Sequence, residues 1–158
     1  MADNYTRRAP IVIRDAAILP GGWRNFSGRE DQYNKTGKRE FNIALPQEVA
    51  DALAAQGLNV KVRETEEGEK TYYLKATASW KVKAPQVYLI SGNQKTLLSE
   101  ELVGILDDAD IIKADITLDA VPWEVNGRSG LTAYLSKAYI TIVQDELDEE
   151  YANIPLSH

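Results

Sequence analysis

"TYYLKATASWK", residues 71–81, is the stretch on which the architecture turns. Tyr72, Leu74, Ala76, Ala78 and Trp80 fall on one side of an extended chain, and Tyr73, Lys75, Thr77, Ser79 and Lys81 fall on the other. Successive strand side chains point to opposite faces, so this alternation makes a strand with one core face. Its other face is wet or bound to something.

Working outward, Phe41, Ile43 and Leu45 alternate with Asn42 and Ala44 as a second half-buried strand. Between the two, PQEVADALAAQG (46–57) predicts a short helix with Pro46 at its first position and Gly57 at its C-terminal cap. Leu58, Val60 and Val62 alternate again, and Glu64–Lys70 is a charged loop with Gly68 at its tip. Towards the N-terminus, Pro10–Leu19 is a β-branched strand stopped by Pro20-Gly21-Gly22, and Trp23–Phe26 starts another extended piece. Downstream, Pro85–Ile90 is a strand and SGNQK a turn. SEELVGILDDAD (99–110) predicts a second helix, capped by Ser99. Ile111–Val121 alternates loosely, and Asn126-Gly127 with Ser129-Gly130 marks a loop before the long strand LTAYLSKAYITIV. Many short strands, two short helices and frequent turns describe a mainly β protein: a partly open Greek-key barrel of the OB type, with helical decoration.

The 158 residues are enough for one domain with a sizeable core, and 44% hydrophobic content is that of a globular chain. No apolar run approaches the ~20 residues that cross a bilayer, and the start, MADNYTRRAP, does not read as a signal peptide; the expectation is a cytoplasmic protein. There is no cysteine, and the one histidine is His158. Thiolate metal sites and Ser-His or Cys-His catalysis therefore lack their parts. No acidic pair is framed by apolar residues, and no Gly-rich phosphate loop is present. Neither enzyme nor cofactor is expected.

Formal net charge is −6, but it is unevenly spread. No Lys or Arg follows Lys137, whereas Asp145, Glu146, Asp148, Glu149 and Glu150 do. The expected division is a folded domain over 1–143 and an acidic tail over 144–158. Against this background, Trp23–Arg39 is a basic, aromatic, turn-rich segment. Single strands are held by cations that track phosphates and by rings that stack on unpaired bases. Arg24, Arg29, Lys35, Lys38 and Arg39 are candidate phosphate contacts, and Trp23, Phe26 and Tyr33 candidate ring faces. Gly28 and Gly37 allow close backbone approach. Tyr73, Lys75 and Lys81 on the outer face of the 71–81 strand join the set, with Lys83 just beyond and Arg128 as a secondary contact in the Trp123–Gly130 loop. Trp and Phe are more often core than platform, and both readings stay open for Trp23 and Phe26. Phe41 and Trp80 read as core.

Three blocks, Asn25–Leu45 (NFSGREDQYNKTGKREFNIAL), Pro85–Ile111 (PQVYLISGNQKTLLSEELVGILDDADI) and Val121–Ile142 (VPWEVNGRSGLTAYLSKAYITI), together with the tail DELDEEYANIPL, resemble the single-stranded-DNA-binding proteins of tailed bacteriophages. The resemblance implies an OB-fold protein that coats unwound DNA in replication, recombination or repair, has no enzymatic activity, and recruits a polymerase, primase or helicase through its acidic tail. The tail can also lie in the protein's own cationic groove until DNA displaces it. Ile154-Pro155-Leu156 is similar to the Ile-Pro-Phe ending of bacterial single-strand binders, with leucine for the aromatic residue and Ser157-His158 beyond it. A protein-binding or glycan-binding β-barrel is the alternative, and self-association is left open.

Overall fold

The computed structural model describes residues 9–32, 34–81 and 83–143. Among them are nine strands: β1 (Ile11–Ile18), β2 (Arg24–Asn25), β3 (Arg39–Leu45), β4 (Lys61–Glu64), β5 (Lys70–Ala78), β6 (Gln86–Ser91), β7 (Gln94–Leu98), β8 (Ile111–Val125) and β9 (Arg128–Ile142). One α-helix, α1 (Gln47–Ala55), follows β3. β5, β3, β1, β8 and β9 are neighbours in that order, and β9 returns to β5 in parallel through Ala76↔Ala133 and Thr77↔Tyr134. That join closes five strands into a partly open barrel of the expected OB type. β4 continues the edge of β5, and the β6–β7 hairpin continues the edge of β9.

The interior is filled by the expected alternation. Leu74, Ala76 and Ala78 of β5, Phe41, Ile43 and Leu45 of β3, and Ala114, Ile116, Leu118 and Ala120 of β8 are all buried. β9 obeys the rule in two pieces, with Ala133 and Leu135 buried, then Ala138 and Ile140. The phase slips because Thr117 faces Lys137 while Leu118 faces Leu135, so Ser136 is an extra residue. A bulge of this kind bends the strand and re-aims its side chains. β1 is bent in the same way between Ile13 and Ala16, where Asp15 takes a φ of 52° and donates its N–H to Asp115 Oδ1 at 2.9 Å.

Helix α1 forms as expected, with Pro46 one position earlier, at the N-cap, and Gly57 past the C-cap at a φ of 100°. Ala50 and Leu53 add its inner face to the core. The expected second helix over 99–110 is corrected to a turn and a short 3-10 helix, Val103–Asp107. Val103 and Leu106 are its buried apolar pair, and a spacing of three suits three residues per turn. Gly104 also packs so tightly on Ser27 that an added Cβ would lie 2.8 Å from the Ser27 Cβ.

The loop expected between the last two long strands is narrower than read. Trp123 pairs with Gly130 and Val125 with Arg128, so only Asn126 and Gly127 turn the chain, both at positive φ. This is the backbone demand of a two-residue hairpin turn. Every residue from Val121 to Ser129 is exposed, so the β8–β9 hairpin stands clear of the barrel as an arm. Among the described residues no helix is long and apolar enough to cross a membrane.

Candidate nucleic-acid interface

The outward side chains of β3, β5 and β9, with the root of the β8–β9 arm and the chain after α1, enclose a groove of about 860 Å³. Lys38, Lys61 and Lys75 line it, as do Thr77, Ser79, Thr132 and Tyr134. Trp123 reaches it from the arm, with its ring lying over Gly130. A Cβ at position 130 would sit 2.9 Å from a ring carbon, so glycine is what lets the indole lie flat across the ladder. Trp123 remains 42% exposed, which leaves ring surface for a ligand. The same sheet face continues onto β4. Lys61 pairs with Tyr73, and the Trp23 ring meets Tyr73 edge-on at 5.0 Å, with the Arg63 guanidinium 5.5 Å from the indole centre. Glu40 is the acidic member of the lining, and Lys75 pairs with it at 3.5 Å.

Of the residues singled out in the sequence, Lys38 and Lys75 line the groove, and Trp23 and Tyr73 belong to the ring cluster on the same face. Arg29 and Lys35 are exposed on the 28–38 loop. That loop is held in shape by side-chain amides. Asn34 donates to the carbonyls of Arg29 and Lys38, and its Oδ1 accepts from the Lys38 N–H; Asn25 brackets Arg29 in the same manner. Lys81 and Lys83 are exposed on the connector from β5 to β6, and Arg128 beside the arm's turn. Tyr33 and the tail residues Asp145, Glu146, Asp148, Glu149 and Glu150 lie outside the described residues.

Three placements are corrected. Phe26 is completely buried and stacked on Phe41 at 4.7 Å, so its ring is core and offers no face to a base. Arg24 is also buried. Its guanidinium donates to four carbonyls, those of Ile18, Leu19, Leu106 and Ala109, at 2.9–3.2 Å. Burial pulls it below its ordinary pKa, an effect that Asp107, Asp110 and Asp108 oppose. It is a staple between the end of β1 and the 3-10 turn. Arg39 points away from the groove, pairing with Glu100 at 2.9 Å and lying over Trp80 at 5.5 Å.

Trp123, Tyr134 and Lys61 were missed as candidates. Tyr134 carried a usable signal, because it alternates with Ala133 and Leu135 as an outward residue of a legible strand. Trp123 did not, since only the pairing with Gly130 reveals its placement.

The family model described as "Putative phage ssDNA-binding domain" matches residues 2–158. No curated protein matches the sequence. Among solved structures, the single-stranded DNA-binding protein from bacteriophage Enc34 is similar at 10% identity and a TM-score of 0.53, over 83% of this chain and 79% of that one. A C-terminal truncation of the Enc34 protein gives 12% identity and a TM-score of 0.51, over 87% of each chain. The single-stranded DNA-binding protein gp2.5 of bacteriophage T7 gives 11% identity and a TM-score of 0.38, over 95% of this chain and 97% of that one. The two Enc34 likenesses support the fold.

Proposed function

The chain belongs to the phage ssDNA-binding domain family, and from that premise we propose that it coats single-stranded DNA with little sequence preference, the strand lying in the groove between β5 and the β8–β9 arm. The observation that carries this reading is the company on one sheet face: Lys38, Lys61 and Lys75 beside Trp123 and Tyr134. Cations gain by releasing counterions from phosphates, and a base stacked on a ring is worth about 1–3 kcal/mol whatever the base. No array of side-chain amides aimed at base edges is needed. The role this suits is protection of unwound phage DNA in the host cytoplasm during replication, recombination or repair. The acidic segment over 144–158 would serve as a separate unit that contacts basic surfaces of replication proteins and competes with DNA for the groove.

The test is a titration of tryptophan fluorescence with oligo-dT at several salt concentrations. Quenching is expected, and log K should fall linearly with log salt by about 0.7 per phosphate neutralised. A titration without quenching, or an affinity indifferent to salt, overturns the proposal.

A further inference from the structure

A second cluster of rings and cations lies further along the outside of β9, remote from the groove. Tyr88 and Tyr139 face each other across the parallel β6–β9 pair, with ring centres 5.1 Å apart and planes 11° from parallel. The Lys95 ammonium lies 5.2 Å from the Tyr88 ring centre. Lys137 sits two residues before Tyr139 and opposite Gln86, at the start of β6. Lys113 stands on β8, 54% exposed and 3.8 Å from Asp115, the acid opposite Tyr139. Tyrosines on an outer sheet face do not need this company to fold. Partly exposed aromatic rings beside cations are what a polyanion with flat bases recognises.

The topology joins this cluster to the groove. β5 leaves β9 at Thr77↔Tyr134, and β6 joins it at Gln86↔Lys137. The connector between them carries the exposed Lys81 and Lys83 across the junction. Tyr134 and Tyr139 therefore mark two stations on one outward strip of β9. At about 3.3 Å per residue, and allowing for the extra residue at Ser136, they are roughly 13–16 Å apart, room for four or five stacked nucleotides at about 3.4 Å each.

We infer that the Tyr88–Tyr139 cluster is a second contact site for single-stranded DNA, reached by a strand that leaves the groove and runs along β9 past Lys81 and Lys83. This rests on the groove reading above. It makes a distinctive claim about length: short oligonucleotides fill the groove alone, and longer ones engage both stations.

The experiment uses the full chain and oligo-dT of about 6 and about 20 nucleotides. The variants are Lys95→Gln/Lys137→Gln, which removes two exposed or half-exposed cations, and Tyr88→Leu, which removes one ring. Thermal melting verifies that each is folded. The lysine pair should leave the short oligonucleotide unaffected, weaken the long one about tenfold at about 0.2 M salt, and lower its salt slope by about 1.4. Tyr88→Leu should weaken the long oligonucleotide alone. Unchanged binding of the long oligonucleotide by folded variants, or equal loss at both lengths, overturns the second site. Failure of the groove reading looks different: Trp123→Ala and Lys75→Gln would then leave the short oligonucleotide bound as before.

Discussion

Trp123 and Phe26 show how little a residue's type says about its task. Both are large aromatics, one on an exposed arm beside a groove and the other sealed against Phe41. Trp123→Ala should leave the melting temperature nearly unchanged while weakening oligo-dT binding roughly 5- to 150-fold, the equivalent of about 1–3 kcal/mol of stacking. Phe26→Ala should do the reverse, costing about 3–5 kcal/mol in urea unfolding through the cavity it leaves, with the residual folded protein still binding DNA. The fate of Phe26 and Arg24 was hidden in the sequence for a physical reason. β2 is two residues long, too short for a period to emerge, and its inward position is taken by a charged residue. That burial is tolerable only because four carbonyls, two from the end of β1 and two from the distant 106–109 segment, converge on the guanidinium.

At the level of elements, legibility followed regularity. β3 and β5 could be read because neither contains a bulge, and α1 because Pro46 and Gly57 bracket it. β9 blurred its own pattern by slipping phase at Ser136. β7 went unread because four of its five residues are exposed, which leaves no alternation to see. The 99–110 segment carries helix-like capping signals, yet its packing partner requires a backbone without a side chain at position 104. Gly104→Ala would improve helix propensity locally and still destabilise the protein, by about 1–3 kcal/mol, because the new methyl collides with Ser27. A melting temperature equal to or above that of the parent protein would show that this contact is looser than described.

For the molecule as a whole, the charge pattern was plain in the sequence and the path of the ligand was not. A near-neutral body can be strongly polar in one direction, and here Lys38, Lys61 and Lys75 gather only when β3, β4 and β5 fold together. Composition cannot report such a gathering. Deleting residues 145–158 should tighten oligo-dT binding several-fold at low salt and make little difference at about 1 M, where screening confines charge effects to about 3 Å. Binding that is equal or weaker at low salt would show that the acidic segment does not compete for the groove.

The parallel join between β5 and β9 is only two residue pairs long, as is the β1–β3 seam on the other side of the barrel wall. Thr77 and Tyr134, which form one of those pairs, also line the floor on which the strand is proposed to lie. A polymer laid across both becomes a clasp over a short seam, holding by its own affinity what backbone pairing holds only lightly. Those amides of residues 76, 77, 133 and 134 that point across this join should therefore exchange hydrogen by local opening in the free protein and slow markedly on saturation with oligo-dT, more than the amides that bond β8 to β9.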